Sequence, residues 1–103
     1  MNRLEQLLKL LKEQPEDVFL HYALGMEYYS CGNITKAKEQ FLQVLNLQSL
    51  HHDAMFRLAQ IEEEQGNDAV ATEWYKKALQ AAQQNKDEKT AKEIQNILQN
   101  LLL

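Results

Sequence analysis

Proline occurs once in the 103 residues, cysteine once and glycine three times. Each scarcity excludes something. The single thiol, Cys31, allows no internal disulfide, which fits a reducing and therefore cytoplasmic setting. It falls near the end of a helical stretch, where the backbone field disfavours a thiolate, so no nucleophile is expected there. No run approaches the roughly 18 apolar residues of a membrane span. The leucine-rich start, Leu4 to Leu11, is broken by Glu5, Gln6 and Lys9 and has no small-residue cleavage site, so it does not read as a secretory signal. Its cations Arg3, Lys9 and Lys12 are offset by Glu5 and Glu13, which argues against a membrane-surface helix. A basic excess is missing too. Lysine and arginine total 11 against 15 acids, a formal net charge of −4, which does not suit a nucleic-acid binder. Glycine-rich phosphate loops, paired carboxylates at a fixed spacing and a Ser-His-Asp set are all absent, so neither enzyme chemistry nor a cofactor is expected. His51 and His52 are neighbours and His21 stands far upstream. None has a partner four residues away on one helix face, so no metal site is expected.

What the chain does have is helical periodicity. Apolar residues recur at spacings of three and four, and alternating strand-like runs do not occur. Six helical stretches follow: Asn2–Glu13, Glu16–Cys31, Ile34–Leu47, His51–Gln65, Asp68–Gln84 and Asp87–Leu101. Pro15 separates the first two, because a proline inside a helix removes a hydrogen bond and clashes with the preceding turn. Gly32 and Gly66 end helices in the left-handed conformation open to glycine. Asn33 and Asn67 follow them as N-caps whose side-chain oxygens receive the first free N–H groups of the next helix. The run Glu62, Glu63, Glu64 reads as a solvated helix face.

The two Gly-Asn turns lie 34 residues apart. The same shift places Leu24 on Leu58, Ala37 on Ala71, Glu39 on Glu73 and Leu45 on Leu79. It also pairs Gly25 with Ala59, Tyr22 with Phe56, Phe41 with Tyr75 and Val44 with Ala78. Small residues at these places let two helices approach closely, and the rings fill the space beside them. In Leu24-Gly25, Tyr28, Gly32, Ala37, Phe41 and Val44, and again in Leu58-Ala59, Gly66, Ala71, Tyr75 and Ala78, the chain resembles the tetratricopeptide repeat family. Glu62 departs from that pattern where Tyr28 matches it, which weakens the contact in the second repeat. The resemblance implies an all-α fold, a short right-handed α-α superhelix of antiparallel helix pairs with terminal capping helices. Residues 1–103 would then form one domain. Residues 2–14 are the second half of a truncated repeat, 18–51 the first full repeat, 52–85 the second, and 87–103 a C-terminal capping helix. Leu7, Leu10 and Leu11 hold the register upstream. Downstream it fails, because Lys89, Lys92 and Glu93 land on core positions. Ala91, Ile94, Ile97, Leu98, Leu101 and Leu102 form a separate apolar stripe there.

The resemblance implies a non-catalytic protein-interaction scaffold. In that family the first helix of each pair lines a concave groove. Here that face would carry Phe19, Tyr22, Met26 and Tyr29, then Asp53, Phe56, Gln60 and Glu63, with Arg57 beside them. The lysine, arginine and asparagine clamp by which some members grip a terminal carboxylate is not present, because Tyr22 and Met26 stand in its place. An aromatic patch beside acids suits a protein or peptide partner with apolar anchors and basic residues. Two other readings of the stripe stay open: terminal helices cover it, or a second copy does. The second would make the chain a self-associating module, a homo-oligomer joined through the groove or through Leu101, Leu102 and Leu103.

Overall fold

A computed structural model describes residues 2–103. All regular structure in them is helical: α1 Arg3–Glu13, α2 Val18–Ser30, α3 Ile34–Leu47, α4 His52–Glu64, α5 Asp68–Gln84 and α6 Glu88–Leu101. The expected stretches are there, with four starts displaced by capping, the first because Asn2 Oδ1 accepts from the Glu5 N–H at 2.8 Å and stands outside α1. α2 begins at Val18 rather than Glu16, because Asp17 Oδ1 accepts from the Leu20 N–H at 3.0 Å. His51 and Asp87 likewise stand outside α4 and α6 and cap them. The chain falls into two compact units, the first ending at Ser49 and the second beginning at Leu50. In the first, α2 packs against α1 and α3; in the second, α5 packs against α4 and α6.

One turn is used three times. After α2, the Asn33 N–H donates to the Tyr28 carbonyl at 2.9 Å and the Gly32 N–H to that of Tyr29 at 3.0 Å. After α4, Asn67 donates to Glu62 at 2.9 Å and Gly66 to Glu63 at 3.0 Å. After α5, Asp87 donates to Ala82 at 2.9 Å and Lys86 to Gln83 at 3.1 Å. This bond to a carbonyl five residues back satisfies helix-end carbonyls, and it requires a left-handed residue in the turn. Gly32 and Gly66 supply φ of 80° and 81°, and Lys86 adopts φ 60° without being glycine.

The core carries the 34-residue repeat directly. Ala37, Phe41 and Val44 of α3 are fully buried, as are Ala71, Tyr75 and Ala78 of α5. Tyr22 meets Phe41 with ring centroids 5.6 Å apart, tilted at 59°, and Phe56 meets Tyr75 at 5.7 Å and 72°. A Cβ added to Gly25 would lie 2.7 Å from Phe41 Cε1, so the ring occupies the space that glycine leaves. In α6, Ala91, Ile94 and Leu98 are buried and Ile97 and Leu101 half-buried, whereas Leu102 is 67% exposed and lies past the helix end. In α1 only Leu7 is buried.

Two expectations are corrected at the second turn. Glu62 does not lie on a solvated face: it is only 6% exposed. Its Oε2 accepts from Asn67 Nδ2 at 2.9 Å. Asn67 therefore makes no side-chain cap to α5, because its amide is turned to the carboxylate. A buried carboxylate without partners would cost several kcal/mol, and the asparagine after the turn glycine supplies a donor. Where the first hairpin uses the ring of Tyr28, beneath the Lys36 ammonium at 5.6 Å, the second closes its turn with this hydrogen bond.

Replacing Gly25 by alanine sets two effects against each other. Helix propensity favours alanine by about 1 kcal/mol, while forcing the buried Phe41 ring aside costs about 1–3 kcal/mol. The expected outcome for Gly25→Ala is a net loss of about 1 kcal/mol in urea unfolding. An unchanged or raised midpoint would mean that Phe41 does not fill this notch.

Candidate functional site

Three and four residues apart, Phe19, Tyr22, Met26 and Tyr29 share one face of α2. Tyr22, Met26 and Tyr29 are half-buried, and Phe19 is 75% exposed. Tyr22 has its ring against Phe41, so it serves the core and the surface at once. A large aromatic left this open at the start of a helix gains nothing for the fold by its position.

The corresponding face of α4 is more polar. Asp53 and Glu63 are exposed, and Phe56, Arg57 and Gln60 are half-buried. Arg57 Nη1 donates to Gln60 Oε1 at 2.9 Å, with its guanidinium carbon 5.8 Å from the centre of the Phe56 ring. All nine expected residues thus lie on α2 or α4, and each set stays within its own unit.

The second unit also contains a cleft of about 510 Å³, which the sequence did not reveal. It is lined by Gln60, Glu63 and Glu64 of α4, Tyr75 of α5, and Ile97, Asn100 and Leu101 of α6. Tyr75 donates its hydroxyl hydrogen to Glu63 Oε1 at 2.7 Å. Burial first, then that hydrogen bond and the charges of Glu63 and Glu64, push the Tyr75 phenol well above its ordinary pKa. The one signal in the sequence is the spacing of Ile97 and Leu101, four apart on the α6 stripe. Which α4 residues they face depends on packing rather than on period.

The histidines serve as local ties. His21 Nδ1 lies 2.8 Å from Gln40 Oε1 and its Nε2 lies 2.7 Å from the Pro15 carbonyl oxygen, which anchors the loop before α2. His52 Nε2 lies 2.9 Å from Asp87 Oδ2, and Asn85 Nδ2 reaches both His52 Nδ1 at 2.9 Å and the Leu50 carbonyl at 2.8 Å. Hydrogen bonds from the Thr90 hydroxyl and N–H, then from His52, hold the Asp87 carboxyl below the usual range. Cys31 is exposed immediately after α2. No group of three or more metal-ligating side chains occurs among the described residues.

Comparison with known proteins follows the same lines. The tetratricopeptide repeat family model matches residues 22–86. A solution structure of a Bordetella parapertussis protein superposes with a TM-score of 0.85 at 24% identity, covering 99% of this chain and 89% of that one. A tetratricopeptide repeat domain protein of Salinibacter ruber gives 0.78 at 22% identity, covering 84% of this chain and 88% of that one. At these identities the likeness is one of fold. No curated protein matches the sequence.

His51 makes stability depend on pH in a defined direction. Its Nδ1 accepts from the Ala54 N–H at 3.1 Å, a cap that only an unprotonated nitrogen can make. Burial holds its pKa below the ordinary 6.5, with Asp53 opposing. The unfolded chain therefore takes up the proton at higher pH than the folded chain. This contribution is complete above the ordinary value and is lost as pH falls through the lower folded-state value. Asparagine keeps the cap without titrating. The loss of unfolding free energy between about pH 7 and pH 5 should be smaller in His51→Asn than in the unchanged chain; urea titrations of both proteins measure it.

Proposed function

We propose, on the premise that the chain belongs to the tetratricopeptide repeat family, that it is a non-catalytic scaffold holding a peptide or helix of another protein. Tetratricopeptide repeat domains are in general protein–protein interaction modules, and the finer reading concerns where this one binds. The partner docks on the first helix of each repeat: on Phe19, Tyr22, Met26 and Tyr29 in the first, and on Asp53, Phe56, Arg57, Gln60 and Glu63 in the second. Residues 18–51 and 52–85 act as the two full repeats, between a half-repeat helix over 2–14 and a capping helix over 87–103. No helix among the described residues is long and apolar enough to cross a membrane. A cytoplasmic place of action belongs to the same proposal.

The observation that carries this reading is Phe19. At 75% exposure it stands beside three half-buried apolar or aromatic side chains on one helix face. Aromatic anchors and adaptable methionines are the residues on which binding energy concentrates. A competing reading, self-association, draws on the exposed Leu102 and Leu103 beyond α6.

Phe19→Ala with Met26→Ala leaves both ring pairs of the core intact. In quantitative affinity capture from the native cell, proteins retained by the unchanged chain should fall at least about tenfold with this double variant, the effect of losing one hot-spot anchor. Equal retention would end the reading. Capture of the chain by itself alone, with a dimeric mass in solution, would establish self-association instead.

A further inference from the structure

The cleft among α4, α5 and α6 has walls of two kinds. From α4 and α5 it receives the carboxylates of Glu63 and Glu64, the amide of Gln60 and the Tyr75 hydroxyl. From α6 it receives the aliphatic side chains of Ile97 and Leu101, with the Asn100 amide beside them. No lysine or arginine lines it. Arg57, the cation of α4, donates one N–H to Gln60 from outside the lining. The cleft therefore offers several oxygen acceptors and negative charge beside an apolar wall.

That combination selects a side chain. An anion is repelled by the two carboxylates. A purely apolar group would strip water from them without replacing its hydrogen bonds. A long cationic side chain meets both walls, with its methylene stem against aliphatic carbon and its head on oxygen. Between the two cations, the guanidinium has five donors in a planar fork, against three on an ammonium, and is less strongly hydrated. Several acceptors spread over three helices match the fork better.

Resting on the reading of the chain as a protein-binding module, we propose that this cleft is a subsite for an arginine side chain of the bound partner. The guanidinium lies against Glu63 and Glu64, and its stem lies along Ile97 and Leu101. The α6 helix then supplies a wall of the binding site besides covering α5. The Tyr75 phenol is raised first by its burial and then by the hydrogen bond and charge of Glu63 and the charge of Glu64, so the carboxylates add to a field that favours positive charge.

The probe is n-butylguanidinium, titrated into the full chain and followed through backbone amide NMR shifts, with n-butylurea as its neutral counterpart and n-butylammonium as the lysine head group. Saturable shifts are expected around Glu63, Glu64, Tyr75, Ile97 and Asn100 with the guanidinium. They should be weaker with the ammonium and absent with the urea. Glu63→Gln with Glu64→Gln keeps an acceptor for Tyr75, and an unchanged melting curve confirms the fold. This variant should weaken guanidinium binding about fivefold or more, as loss of an ion pair in a partly shielded site implies. Equal shifts with the urea, equal affinity with the ammonium, no saturable shift, or no effect of the double glutamine variant would each overturn the proposal. The outcome is separable from the broader reading. If capture depends on Phe19 and Met26 but the probe does not bind, only the arginine subsite falls. If the probe binds while capture is indifferent to those residues, the arginine cleft stands and the docking face on α2 falls.

Discussion

In the first hairpin a ring on the second helix lies where the first helix has no side chain. Phe41 fills the notch at Gly25 and meets Tyr22, and 34 residues on Tyr75 meets Phe56 while Ala59 is fully buried. An interior packed to crystal density cannot hold a ring and a larger neighbour in the same space. The small residue therefore decides how closely the helices approach, and the ring decides their rotation. Edge-on aromatic pairs add about 0.5–1.5 kcal/mol beyond the area they bury. Ala37 and Ala71, one helical turn before the rings and fully buried, fix the contact at its other end.

This constraint also shapes the surface. Tyr22 and Gly25, three positions apart on α2, both meet the Phe41 ring, and the same helix face continues through Phe19, Met26 and Tyr29. Along that face Phe19 stays open and Met26 and Tyr29 half-open. On α4 the same geometry places Gln60 and Glu63 near Tyr75, whose hydroxyl then bonds Glu63. The candidate docking residues are thus the outer margin of the packing arrangement that holds each helix pair together.

Much of this was legible in the sequence because it rests on side-chain size and period. The glycines at 32 and 66, the alanines at 37 and 71 and the rings at 41 and 75 stand out as a 34-residue repeat in the order of amino acids alone. What was not legible depends on partners distant from the pattern. Glu62 sits in a run of three acids, which suggests solvent, yet Asn67 across the turn allows it to be buried. The third turn repeats the bonds of the first two, but Lys86 occupies the left-handed position, so no glycine announces it. A left-handed non-glycine costs about 1–2 kcal/mol, which the hydrogen bonds of the turn and the anchoring of Asn85 to Leu50 and His52 offset. The acidic cleft was missed for a related reason. Its walls come from three helices, and the facing of α6 residues toward α4 is set by packing that the broken register does not encode.

The account rests on equivalent rings occupying equivalent places in the two hairpins. Ring-to-ring nuclear Overhauser effects measure this directly in the intact chain. Cross-peaks between the rings of Tyr22 and Phe41, between those of Phe56 and Tyr75, and between the Phe41 ring and the Gly25 α-protons are all expected. Absence of either ring pair in a folded, helical sample would contradict it.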